Sequence, residues 1–174
     1  MKKKNINTIS KKIAVTGVLS ALAIVLGYIE YLIPLNFAIP GIKLGLANLA
    51  VLFALIVTDT KYAASVSLIK IVTTSLIFGN FVSFCYSLSG GFVSLAVMTI
   101  MKKTKKFGTI GISAAGGVGH NIGQILAAVL LISEIKIALY LPILMISGTI
   151  TGIIIGICLD IILKRFLKNN FFGN

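Results

Sequence analysis

Six apolar segments, at about 13–33, 44–58, 62–82, 85–101, 109–132 and 137–163, fill most of this chain and leave only short connections. A helix crossing the hydrocarbon of a bilayer needs ~20 such residues. Only 4 of the 174 residues are acidic and 57% are hydrophobic, too few polar groups to cover a water-soluble surface. In lipid each segment must satisfy its own backbone, which a helix does. The pattern predicts an all-α integral membrane protein, a six-transmembrane-helix bundle with up-and-down connections. One membrane domain spans 13–168, between a basic tail over 1–12 and a short tail over 169–174.

The second segment is short for a span, and Pro40-Gly41 precedes it. Lys70 interrupts the third, and Pro142 suits an early position in the sixth helix. The first segment starts after lysines but is too long and apolar for a cleaved signal, and five more follow it. Cys85 and Cys158 lie in apolar surroundings without ligand spacing and are expected to be small buried hydrophobes.

The net charge of +12 is not spread as a nucleic-acid footprint would be. It gathers at Lys2, Lys3, Lys4, Lys11 and Lys12, at Lys102, Lys103, Lys105 and Lys106, and at Lys164, Arg165 and Lys168. Six crossings put these and Lys61 on one side, with Lys43 and Lys136 on the other. By the positive-inside rule both termini are expected in the cytoplasm of a bacterial cell, with the basic clusters against anionic headgroups.

Polar side chains inside apolar helices need a reason. His120 and Gln124 in Gly119-His120-Asn121-Ile122-Gly123-Gln124 are four apart and share a face, with Asn121 beside it. On the expected topology Lys43, Asn48, Lys70, Asn80, His120, Asn121 and Gln124 lie at a common depth in the outer half of the bundle. That placement predicts a pocket for a small molecule, and its lysines suit an anionic or phosphate-bearing group. The loop over 34–43, stiffened by two prolines, either caps this pocket or packs against the bundle as a re-entrant segment.

Each residue has a plainer role available. Lys70 either meets a ligand or gates the site, or else snorkels or pairs with Glu30, and a lysine at mid-helix costs ~3 kcal/mol on insertion scales. His120 either meets a ligand or bonds within its own bundle. A single histidine without a carboxylate or cysteine cluster is no metal site. Glu30, Asp59, Glu134 and Asp160 are too scattered to hold the magnesium ions of a prenyl-transfer enzyme. The chain is therefore expected to be no enzyme and to carry no cofactor or metal.

Small residues form two stripes. Gly148, Gly152 and Gly156 recur every four residues in the sixth segment and are expected to pack within the bundle. Ala14, Gly17 and Ala21 line the inner half of the first, a surface suited to a partner. No Walker motif supplies a motor in this chain. No internal repeat is evident, which counts against a self-contained alternating-access transporter.

Pro40-Gly41-Ile42-Lys43-Leu44-Gly45-Leu46-Ala47-Asn48 and Gly116-Gly117-Val118-Gly119-His120-Asn121-Ile122-Gly123-Gln124 resemble the heptaprenyl diphosphate synthase component I, or Gx transporter, family. That family resembles the substrate-binding S components of energy-coupling factor (ECF) transporters, and the resemblance covers nearly the whole chain. It implies a six-helix S component that captures a vitamin-like compound outside. Such a component docks through its first helix onto a transmembrane coupling protein driven by two ATPase subunits. S components use an Ala-x-x-x-Ala patch there; Ala14, Gly17 and Ala21 occupy the matching surface, with Gly17 departing from the all-alanine pattern. The synthase name and the lysines point to an isoprenoid or another diphosphate-bearing compound, while flavin, thiamine-like and quinone-related ligands stay open. Tyr28, Tyr31, Phe37 and Phe84 suit a ring as well as an isoprenoid channel.

Overall fold

The computed structural model describes residues 9–33 and 45–168. Its α-helices are α1 (Ile9–Leu32), α2 (Leu46–Val57), α3 (Thr60–Phe78), α4 (Phe81–Thr104), α5 (Thr109–Ile132) and α6 (Leu141–Lys168), and the described residues include no strand. A 3-10 turn, Ile135–Tyr140, joins α5 to α6. Five of the helices are long and apolar enough to cross a membrane. Their outer faces carry large apolar side chains such as Leu76, Phe92 and Leu130, each more than 70% exposed. Lipid is the medium that such a surface requires, so the chain is a multi-pass membrane protein.

Helix α2 is the exception, and its sequence explains why. At 12 residues it is about 18 Å long, well short of the ~30 Å hydrocarbon core. Apart from Asn48 in its first turn it is apolar on every side, and Ala47 and all eight residues from Ala50 to Val57 are buried. A helix with no polar face belongs inside protein. It packs against α1 and α3, and its other side meets α4 and α6.

Both ends of α2 are satisfied by charged side chains from neighbouring helices. At the start, Gly45 adopts φ +72°, a left-handed conformation that glycine takes without a Cβ clash. Its N–H donates to Glu30 Oε1 of α1 at 2.6 Å. At the finish, Lys102 of α4 donates to the Leu55 carbonyl and, at 3.5 Å, to that of Thr58. The signs match the helix dipole, carboxylate at the N-terminus and ammonium at the C-terminus.

Glycines bring α4, α5 and α6 close together. A Cβ on Gly117 would lie 2.2 Å from the Gly148 carbonyl oxygen, and one on Gly152 would lie 2.7 Å from the Ala114 Cα. A Cβ on Gly156 would meet the Ile110 Cα at 2.7 Å. The stripe in the sixth segment therefore packs against α5. On the other face of α5, a Cβ on Gly123 would lie 2.6 Å from the Ser89 carbonyl oxygen of α4.

Helix boundaries follow local chemistry more than hydropathy. The third apolar run continues to residue 82, yet α3 stops at Phe78. Asn80 then caps α4, accepting from the Ser83 N–H at 2.8 Å. Helix α1 opens at Ile9, inside the stretch read as a tail, and α6 opens at Leu141 with Pro142 in its first turn. Cys158 is exposed on the outside of α6, where the expectation was burial. A small hydrophobe is equally at home against lipid.

Most of the described basic residues gather at one end. Lys12 meets Asp59 at 2.6 Å between α2 and α3, and Lys12 and Lys61 both stand over the Tyr62 ring. The hydrogen bond from Lys12 holds the Asp59 carboxyl below its ordinary range, with Lys102 and Lys61 adding to the effect.

Candidate functional site

At the end away from that basic cluster, the described helices line a partly open cavity of about 340 Å³. Glu30 and Tyr31 of α1 line it together with Asn48 in the first turn of α2. Helix α3 adds Lys70, Thr74 and Phe78, and α4 adds Ser83 and Ser87. His120 and Asn121 come from mid-α5, and Gly148 and Thr151 from α6. The size falls at the lower end of the range for small-molecule sites.

Lys70 and Glu30 do their local work on the same turn of α2. Lys70 Nζ donates to Asn48 Oδ1 at 2.8 Å, while Glu30 accepts from the N–H of Gly45. The Asn48 N–H in turn donates to the Gly45 carbonyl at 2.8 Å. An ammonium and a carboxylate thus attach three residues apart on one wall. Thr74, whose hydroxyl donates back to the Lys70 carbonyl at 2.8 Å, lines the cavity beside it. Beneath the main cavity a pocket of about 30 Å³ shares Gly45, Asn48, Gly117 and Thr151 and adds Ser94 and Ser113. It has the volume and polar lining for one water.

Tyr28 and Tyr31 both stack on Phe78, with ring centroids 5.2 Å apart in each pair. Tyr31 and Phe78 face the cavity, so it carries aromatic surface near the α1 and α3 ends and polar groups deeper in.

The residues predicted for the site divide clearly. Asn48, Lys70, His120 and Asn121 line one cavity. Asn121 also donates its amide N–H to the Leu144 carbonyl, which ties α5 to α6. Asn80 is exposed and caps α4, and Gln124 is buried against Gly90 at the α4–α5 contact; neither is among the lining residues. Lys43, Phe37 and the proposed cap over 34–43 lie outside the described residues. Ala14, Gly17 and Ala21 are all exposed on α1, and a Cβ on Gly17 would meet nothing within 4 Å.

Several lining residues escaped the sequence reading. Thr74, Ser83, Ser87 and Thr151 are hydroxyls of a kind that commonly bond back to their own helix, so nothing in the sequence marks them as facing a cavity. Phe78 was hidden within an apolar run. Glu30 was placed at the right depth but weighed only as a partner for Lys70. Among the described residues, no three of His, Cys, Asp and Glu come together to hold a metal.

No curated protein and no solved structure matches the chain. The family model described as heptaprenyl diphosphate synthase component I matches residues 19–162, from the middle of α1 into the last third of α6. That span contains every residue named here as lining the cavity, and the chain belongs to the heptaprenyl diphosphate synthase component I family.

Proposed function

We propose that this chain is a non-catalytic membrane protein that captures a small molecule in the cavity, as the substrate-binding component of an ECF-type uptake transporter. One observation carries the reading: Lys70, Asn48 and His120 converge on a 340 Å³ cavity in an otherwise apolar bundle. An intramembrane lysine is costly, and a cavity that it helps to line gives it a use. The ligand presents an acceptor-rich or anionic group to Lys70 and Asn48. Both termini are cytoplasmic, so the cavity opens outward and the small-residue face of α1 lies in the inner half. There it meets a transmembrane coupling protein that works with two ATPase subunits. The exposure of Ala14, Gly17 and Ala21 supports that contact.

A second reading rests on the family description. The chain then serves as the membrane component of a heptaprenyl diphosphate synthase, holding or delivering substrate to a soluble catalytic partner. Affinity purification of the tagged chain from its native membrane, followed by identification of the stoichiometric partners, separates the two. A coupling protein with ATPases supports uptake, and a soluble polyprenyl synthase subunit supports the second reading. Native mass spectrometry of the same preparation tests the shared claim, because a bound small molecule should leave with Lys70→Met.

A further inference from the structure

The wall of the cavity carries two opposite charges, and this bears on what it selects. Glu30 and Lys70 are the charged residues among its described lining, and both bond to the Gly45–Asn48 turn of α2. A ligand group of one sign alone would meet one of them as a like charge, whereas a ligand carrying both signs would match each. Glu30 uses Oε1 on the Gly45 N–H, and a carboxylate has about four acceptor positions. It can therefore take a donor from a ligand while still capping α2. Tyr31 and Phe78, stacked against each other, supply a flat apolar surface beside these charges.

We infer that the ligand is a compact dipolar molecule: an acidic group directed at Lys70 and Asn48, a cationic or hydrogen-bond-donating nitrogen directed at Glu30, and a planar ring against Tyr31 and Phe78. This rests on the reading of the cavity as a binding site. It also turns that site away from an isoprenoid diphosphate, whose anionic head would meet Glu30 as a like charge and whose long chain would desolvate both charged groups.

The test uses the full chain in nanodiscs, with saturation-transfer NMR at millimolar probe concentrations. Three probes share one ring: 4-(aminomethyl)benzoate has both charges, 4-methylbenzoate only the acid and benzylamine only the amine. Farnesyl diphosphate is the fourth. The dipolar probe should bind about tenfold tighter than either single-charge probe. Glu30→Gln, which keeps an acceptor for Gly45, should erase its advantage over 4-methylbenzoate. Lys70→Met should erase its advantage over benzylamine. Equal binding of the two acids, both weakened by Lys70→Met, overturns the dipolar inference and leaves the binding site standing. Tighter binding of benzylamine or farnesyl diphosphate than of the dipolar probe also overturns it. If none of the four binds, the cavity is not a binding site and the inference falls with it. The wild-type series alone decides if either variant fails to fold.

Discussion

The ammonium of Lys70, midway along α3, donates to the side-chain oxygen of Asn48 in the first turn of α2 at 2.8 Å. The bond fixes the orientation of the amide, so that its oxygen faces Lys70 and its nitrogen faces away as a donor. Lys70 thereby anchors the buried helix and charges the wall of the cavity at the same time.

Lys70→Met removes both roles at once. Methionine keeps much of the apolar stem but loses the bond to Asn48, so the chain should still fold with its thermal stability lowered by about 1 kcal/mol. Affinity for a ligand bonded to the ammonium should fall by ~1.5–3 kcal/mol, the scale of a charged hydrogen bond. His120→Ala should cost less, about 1 kcal/mol, the scale of one ordinary hydrogen bond. Titration of both variants with the co-purifying ligand checks the order; a larger loss for His120→Ala would reverse the assignment.

Gly117→Ala should be one of the most damaging small substitutions in the chain. Its Cβ would sit 2.2 Å from the Gly148 carbonyl oxygen, and backbone cannot move aside as a flexible side chain can. Overpacking of this kind costs about 1–3 kcal/mol or more. Gly17→Ala, with open space around it, should leave thermal unfolding in detergent unchanged. Equal melting temperatures for the two variants would contradict the packing of α5 on α6.

The Lys12–Asp59 pair predicts a small acid sensitivity. Folding lowers the Asp59 pKa from its ordinary 3.8, so the folded state gains stability above that value and loses it as pH falls through the lower, folded value. Asp59 is 49% exposed on its side chain, which keeps the effect under about 1 kcal/mol. Asp59→Asn should flatten the pH dependence of thermal unfolding below about pH 4 and change little at pH 7. A variant with the same acid slope as the parent would remove this pair from the account.

The basic residues gathered at one end carry a topological prediction. A cysteine at Thr104, in a background lacking Cys85 and Cys158, should react with an impermeant thiol reagent only after the cells are opened. One at Glu134, at the other end of α5, should react in intact cells. The reverse pattern would invert the protein in the membrane and turn the cavity toward the cytoplasm.

Helix positions were legible in the sequence because they follow from short-range rules. Apolar length located the six helices, and the four-residue glycine period marked a packing face on α6 without saying that α5 would cover it. The shortness of segment 44–58 hinted at α2's unusual place, but its burial depends on which neighbours surround it. The candidate site was half legible. Lys70, Asn48, His120 and Asn121 stand out as polar groups in apolar helices, and depth alone was enough to bring them together. Depth does not give rotation about the helix axis, which is why Gln124 points into the α4–α5 contact. Asn80 was misplaced for a different reason, since the helix break at Gly79 turns it from a polar residue in the outer third of a span into a cap. The role of Glu30 at the start of α2 depends on a contact with Gly45, 15 residues away, that no local pattern encodes.

The small face of α1 offers the sharpest test of a role in transport. Ala14, Gly17 and Ala21 fall on one side of the helix and are exposed, while its buried residues are Leu19, Ser20 and Ala23. Helix packing in lipid depends on close backbone approach at small residues, and a bulky side chain at the contact prevents it. Gly17→Leu and Ala21→Leu should therefore leave the isolated chain folded, with the thermal stability and ligand affinity of the parent, because neither side chain would enter the bundle. In the complete assembly both should lower co-purification of the coupling protein and reduce substrate uptake. Loss of folding in either variant would show that this face packs within the bundle. A folded variant with full complex yield and full uptake would leave α1 facing lipid and place the docking surface elsewhere.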